Sequence, residues 1–151
     1  DVHHGNGTQD AFYADPGVLF FSSHQSPWYP GTGRRNETGR SAGLGFTINA
    51  PLPAGSGMRE ILAEMEDRLE KTLATFRPDL VLVSAGFDSR LHDPLGRFTL
   101  TDDDFAALTR RVMDYAATHA QGRLVSVLEG GYNLRTLGGA AAAHLRTLLR
   151  H

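Results

Sequence analysis

Apolar positions along this chain fall into two kinds of run. In the first kind they are nearly continuous. "VLFFSSH" from Val18, "LVLVSAGFD" from Leu80 and "RLVSVLEGGYN" from Arg123 lack polar alternation. That is the pattern of strands buried on both faces. "FTINAPL" from Phe46 reads as a further strand. In the second kind the apolar positions recur at helical spacing. Met58, Ile61, Leu62, Met65, Leu69, Leu73 and Phe76 form one stripe through "GSGMREILAEMEDRLEKTLATF", a core-packing face that ends before Pro78. Thr101 with Asp104 three residues on makes a capping box, and a helix follows through "DDFAALTRRVMDYAATHA". A last helix lies within "LRTLGGAAAAHLRTLLR", and Thr8 is placed to cap a short one over "QDAFYA" that ends at Asp15 to Gly17.

Strands alternating with helices predict parallel βαβ units. The expected fold is α/β, a three-layer αβα arrangement around a mainly parallel sheet with helices on both faces. Between the first two strands runs "QSPWYPGTGRRNETGRSAGLG", rich in Gly, Pro and Arg. A structureless loop of that length within a domain is usually functional or disordered.

Composition adds limits. The 151 residues suit one domain, and a formal net charge of -2 provides no basic field for nucleic acid. With no cysteine, disulfides, thiolate metal sites and cysteine nucleophiles are excluded. No apolar run approaches the roughly 18 residues of a membrane span, and no signal peptide is visible; neither identifies the compartment, and a cytoplasmic protein is the expectation. Two N-x-T tripeptides, at Asn6 and Asn36, are the kind of short match that arises by chance. Arginine outnumbers lysine 14 to 1, a bias consistent with a high-GC bacterial source.

Parallel strands bring their carboxyl ends to one edge, where ligands bind in such sheets. The chemistry-bearing residues fall at those ends. Ser22, Ser23 and His24 close the first strand, Asp88 follows "VLVSAGF", and Glu129, Gly130, Gly131 and Tyr132 follow "LVSV". Asp1 to His4 fit the same placement after a strand preceding residue 1. In an extended segment residues two apart point the same way, so Asp1 and His3 can grip one ion while Val2 packs behind. Asp88 completes two oxygens and one nitrogen, the three-ligand pattern of a catalytic zinc site with its fourth position open. Singly, each has a simpler reading: His4 holding a loop by a hydrogen bond, Asp88 as a turn aspartate, Tyr132 as a packed aromatic, Gly130 and Gly131 as turn geometry. Together at one sheet edge they point to a site.

The motifs "DVHHGNGTQ", "SSHQ…YPGTG", "SAGFDSRLHDPLG" and "LEGGYNL", in this order and spacing, resemble the histone deacetylase and acetylpolyamine amidohydrolase superfamily, most of all bacterial class II histone deacetylase-like enzymes. The resemblance covers nearly the whole chain. It implies Asp1, His3 and Asp88 as zinc ligands and Tyr132 as the hydrogen-bond donor to the substrate carbonyl. It implies a structural potassium ion on the main-chain oxygens of Asp1, His3 and Ser23, the Ser22 hydroxyl and the second face of Asp1. A second monovalent cation would lie on main-chain oxygens near Phe12, Asp15, Val18 and Phe46. Trp28 and Tyr29 would wall an acyl-lysine tunnel, Leu95 would form part of its rim, and Gly130 and Gly131 would let the tyrosine loop approach it.

The implied activity is hydrolysis of N-acyl amides, foremost acetyl-lysine, by metal-activated water with Tyr132 stabilising the oxyanion. The implied partner is an acetylated protein or a small N-acyl amine, with no direct nucleic-acid or membrane contact; the oligomeric state is left open. The family's general acid–base His-His pair lies upstream of the aspartate that matches Asp1, and no residue here matches it. Residues 1–151 are therefore expected to be the C-terminal portion of one catalytic domain, with its N-terminal part missing, and inactive alone. Acetylpolyamine hydrolysis is the alternative within the class. Arg34, Arg35 and Arg40 against Glu37 in the long loop lean away from a polycationic substrate. A non-catalytic acyl-lysine-binding module is the alternative from another class. A two-manganese hydrolase of the arginase type fits less well, because one Asp-His-Asp set suits a single ion.

Overall fold

The computed structural model describes residues 1–149, which form two compact units. One comprises Asp1–Val2 and the chain from Arg77 onward; the other comprises His3–Phe76.

The His3–Phe76 unit holds α1 (Asn6–Phe12), β1 (Phe20–Gln25), a short 3-10 turn (Ser41–Gly43) and β2 (Thr47–Leu52). A helical segment follows as α2 (Met58–Glu64), a π turn (Met65–Leu69) and α3 (Glu70–Leu73). Strands β1 and β2 pair in parallel, with Ser22 opposite Asn49. The long loop joins them directly, without a crossover helix. The predicted apolar stripe faces inward, and Ile61, Met65 and Leu73 are buried with Ile48, Ala50 and Leu52. Two expectations are corrected here. Thr8 lies inside α1, whose N-cap is Gly5, so it does not cap the helix. The Met58–Leu73 helix is interrupted by the π turn, within which Arg68 donates to the Asn49 carbonyl on β2.

In the other unit β3 (Val81–Ala85) and β4 (Leu124–Leu128) pair in parallel, with Val83 opposite Ser126, and α4 (Asp102–His119) connects them. This is the expected βαβ unit. Thr101 caps α4 as predicted: its hydroxyl accepts from the Asp104 amide, and the Asp104 carboxylate accepts from the Thr101 amide. Helix α5 (Leu137–Leu148) follows β4. On one face of the strand pair, Ala85, Leu124 and Ser126 share an apolar hollow of about 530 Å³ with Phe87, Ala116, His144 and other residues of α4 and α5. The opposite face is not covered: Leu82 is 69% exposed and Val127 54%. The expectation of burial on both faces is thus met on one side only. An unbroken apolar run records what a strand can bury, not what packs on it.

His144 ties this unit together. Thr109 donates its hydroxyl proton to the Phe105 carbonyl (2.6 Å), so its oxygen accepts from His144 Nδ1–H (2.7 Å). Nε2 of His144 then accepts from the Ser126 hydroxyl on β4 (2.8 Å). The ring also stands edge-on to Phe87, at a centroid distance of 5.8 Å. Burial holds the His144 imidazole below its ordinary value and favours the neutral form. Above about pH 6.5 the ring is neutral in both folded and unfolded chains. As pH falls through that value the unfolded chain takes up a proton that the folded one resists, so stability is lost. Urea midpoints should therefore fall between pH 7 and pH 5, and His144→Gln should flatten that dependence. A slope unchanged by the substitution would contradict the assignment.

Candidate metal centre

The centre begins with Asp88, three residues past the end of β3 and fully buried. A buried carboxyl group needs partners. Asp88 Oδ1 accepts the Val2 amide at 2.6 Å. Val2 itself has no exposed surface, so the segment before His3 is pinned by an apolar side chain and a hydrogen bond together. Asp1 is braced from the other strand end, its Oδ2 accepting the Gly130 amide just past β4 at 3.1 Å. Asp1, His3 and Asp88 each offer one ligand atom, and the three atoms lie within 4.8 Å of one another. These are the three residues that the strand-end argument selects.

The surroundings fit an ion held by these groups. A Cβ added at Gly130 would sit 2.3 Å from Asp88 Oδ2 and 2.9 Å from Asp1 Oδ2. One added at Gly86 would sit 2.4 Å from Asp1 Oδ2. Two glycines thus leave room for the carboxylates where any side chain would displace them. Gly130 is among the predicted residues, but for a different reason; Gly86 is one that sequence reasoning missed. Its signal was its place between a buried strand and the candidate aspartate.

On the next residue of the same segment, His4 is buried and both its ring nitrogens are engaged. Nδ1 meets the Thr32 hydroxyl at 2.8 Å and Nε2 the Gln9 side-chain oxygen at 2.9 Å. Asn49 donates to the same Gln9 oxygen, and Gln9 donates to Glu37 Oε2. Burial pushes the Glu37 carboxyl up, but hydrogen bonds from Gln9 and nearby backbone outweigh it and leave it below its usual range. His24 packs beside His4, with ring centroids 4.8 Å apart. Burial, reinforced by His4, pushes His24 down to about 4, so it is neutral near pH 7. Its Nε2–H donates to the Gly33 carbonyl, and Nδ1 accepts the Ser22 hydroxyl. His4 is therefore the loop-holding residue of its simpler reading. The Gln9–Glu37–Asn49 part of this network was not foreseen, because its members carry no motif and meet only on folding.

The remaining predicted residues are placed as follows. Tyr132, 46% exposed, lies four residues beyond β4, its amide donating to Asp93. Gly131 before it has φ +139°, a region open to glycine. Trp28 is half-buried and lines a cavity of about 280 Å³ with Pro27, Thr32 and Arg34. Tyr29 is exposed, and its ring stands edge-on to that of His3 at 6.2 Å. Leu95 is on the loop between Asp88 and α4. Ser22 and Ser23 are in β1, Phe12 ends α1, and Asp15 and Val18 lie in the turn that follows. Phe46 precedes β2, and its carbonyl accepts from Phe20.

Two carboxylates and one imidazole on a parallel-strand α/β frame define a candidate single-ion centre. The histone deacetylase domain model matches residues 1–148. The chain is 44% identical over 149 residues to "Histone deacetylase 10, chloroplastic" of Oryza sativa subsp. japonica, covering 99% of this chain and 34% of that protein. It is 44% identical over 134 residues to "Histone deacetylase-like amidohydrolase" of Pseudomonas aeruginosa, covering 88% of this chain and 35% of the relative. The crystal structure of the HDA15 HD domain superposes with a TM-score of 0.90 at 36% identity, over 99% of this chain and 42% of that one. The chain belongs to the histone deacetylase family, a family of hydrolases. It spans about a third of the length of these curated relatives.

The glycine cradle gives a direct test. Gly130→Ala should cost about 1–3 kcal/mol in urea denaturation, the usual result of forcing atoms into a filled space. Gly138→Ala, where nothing lies within 4 Å of the added carbon, should be neutral or stabilising in α5. Equal effects at both positions would show that Gly130 has free space beside it.

Proposed function

We propose that this chain carries the metal centre and the oxyanion donor of a zinc-dependent deacylase whose foremost substrate is acetyl-lysine. The observation that carries the reading is the convergence of Asp1, His3 and Asp88. Oxygen and nitrogen donors in a 2:1 set suit zinc with an open fourth position. One such set suits a single ion rather than a two-manganese centre.

Asp1, His3 and Asp88 would hold the zinc, which would supply an acidified water and a polarised substrate carbonyl. Tyr132 donates its hydroxyl to the carbonyl oxygen as negative charge builds there. Trp28, Tyr29, Leu95 and Gly131 flank the acyl-lysine stem. Main-chain oxygens of Asp1, His3 and Ser23 with the Ser22 hydroxyl would hold one monovalent cation, and main-chain oxygens near Phe12, Asp15, Val18 and Phe46 a second; each would brace its loop. The general base is not His4 or His24, since both rings are buried and both nitrogens of each are engaged. In this reading residues 1–151 alone bind zinc but do not release acetate, and activity needs a region supplying the family's His-His pair.

Charge favours acetyl-lysine over acetylpolyamine. Glu37, the acid of the long loop, turns inward to Gln9 and the Gly33 amide. Arg35 is paired with Glu64, which leaves Arg34 as an exposed cation lining the cavity beside Trp28. A polycationic substrate gains nothing there.

Calorimetric zinc titration of the chain tests the centre. Asp88→Asn and His3→Ala should each weaken binding at least tenfold, and Tyr132→Phe should leave it within twofold. Undiminished affinity in both ligand variants would refute the centre. In the active protein Tyr132→Phe should lower kcat about 10²-fold, as loss of one oxyanion donor does. Unchanged turnover would reduce the tyrosine to a packing residue.

A further inference from the structure

Asp93 belongs to neither the metal set nor a strand end, yet both its carboxylate oxygens are engaged. Oδ1 accepts the amides of Leu95 and Gly96, at 2.8 and 3.0 Å, closing its own loop. Oδ2 accepts the amide of Tyr132 at 2.9 Å, 39 residues further along the chain. Alongside it, the Asn133 side-chain amide donates to the His92 carbonyl at 2.8 Å. His92 holds φ +69°, an unfavourable conformation for a residue with a side chain. Two neighbouring residues of one loop are thus tied to two neighbouring residues of the other. One loop begins at the metal ligand Asp88, and the other carries the oxyanion donor.

We propose that Asp93 is a positioning residue that sets the Tyr132 backbone, and so the reach of its hydroxyl, through a carboxylate clamp. Its consequence for catalysis rests on the Tyr132 reading above. The chemistry is specific to a carboxylate. Three N–H donors converge on one side chain that accepts at both ends. An asparagine has one accepting oxygen; its NH₂ would face either the Tyr132 amide or the Leu95 and Gly96 amides, donor against donor. A clamp on the tyrosine's own backbone also suits function. A displacement of about 1 Å in a positioned group is enough to lower turnover by roughly 10²-fold.

Amide exchange followed by NMR tests the clamp without need of turnover. In the unsubstituted chain the Tyr132 amide should exchange at least tenfold more slowly than in an unstructured peptide. A fully exchanging amide overturns the proposal, whatever any variant does. In Asp93→Asn the amides of Tyr132, Leu95 and Gly96 should exchange at least tenfold faster. Those of α4 and β4 should be unchanged, and zinc affinity should stay within twofold. Acceleration spread through α4 and β4 would show a general structural role and overturn it. In the active protein Asp93→Asn should lower kcat about tenfold with KM little changed, and add almost nothing in a Tyr132→Phe background. Losses that multiply in the double variant would show that Asp93 does not act through the tyrosine hydroxyl. If Tyr132→Phe alone leaves kcat intact, the oxyanion-donor reading of Tyr132 has failed, and the exchange data still decide whether the clamp exists.

Discussion

The hydrogen bond from the Val2 amide to the buried Asp88 carboxylate is the constraint on which the rest of this centre depends. It joins residues 86 apart in sequence, and its donor is the backbone between Asp1 and His3. The Asp1–Val2 segment, which bears one candidate ligand, is therefore positioned by another. The brace is mutual, because Asp1 accepts the Gly130 amide from the loop that leads to Tyr132. Buried polar groups left unmatched are costly, so each of these bonds limits where its partner can go. The result is a preorganised pair of carboxylates, side chains that would bind an ion and that already hold the backbone.

The His3–Phe76 unit follows the same logic, with one carboxylate, Glu37, among uncharged partners. Buried His4, Gln9 and Asn49, with Glu37 and Thr32 at their edge, form a hydrogen-bonded network, and it sits on the residue next to His3. Such networks rigidify when their members are satisfied. Here the network ties the ligand segment to the long loop, which explains how a Gly- and Arg-rich stretch keeps a defined shape with little regular structure. Arginine elsewhere in that loop serves the surface, as the Arg35–Glu64 pair shows.

Much of this was legible in the sequence, for identifiable reasons. Strand ends gather in parallel α/β folds, so Asp88 could be read from its place after an apolar run, whereas Asp1 and His3 were grouped with it by their spacing and by the family resemblance. The Thr101–Asp104 box was readable because capping is local chemistry. What was not legible is what depends on distant neighbours. Gly86 is indistinguishable from an ordinary turn glycine until Asp1 lies against it. Asp93 looks like a loop acid until Tyr132 arrives. The exposed face at Leu82 and Val127 has the same apolar composition as a covered one, and composition does not say what packs there. Thr8 was misread as a cap because the helix begins earlier, at Asn6.

The central claim is that Asp1, His3 and Asp88 hold one zinc ion together. X-ray absorption at the zinc edge of the zinc-loaded chain measures this most directly. The account predicts a four- to five-coordinate ion with nitrogen and oxygen neighbours at about 2.0–2.2 Å, including one imidazole, and loss of the imidazole signature in His3→Ala. A six-oxygen shell of hydrated zinc, or an imidazole signature that survives His3→Ala, would contradict it.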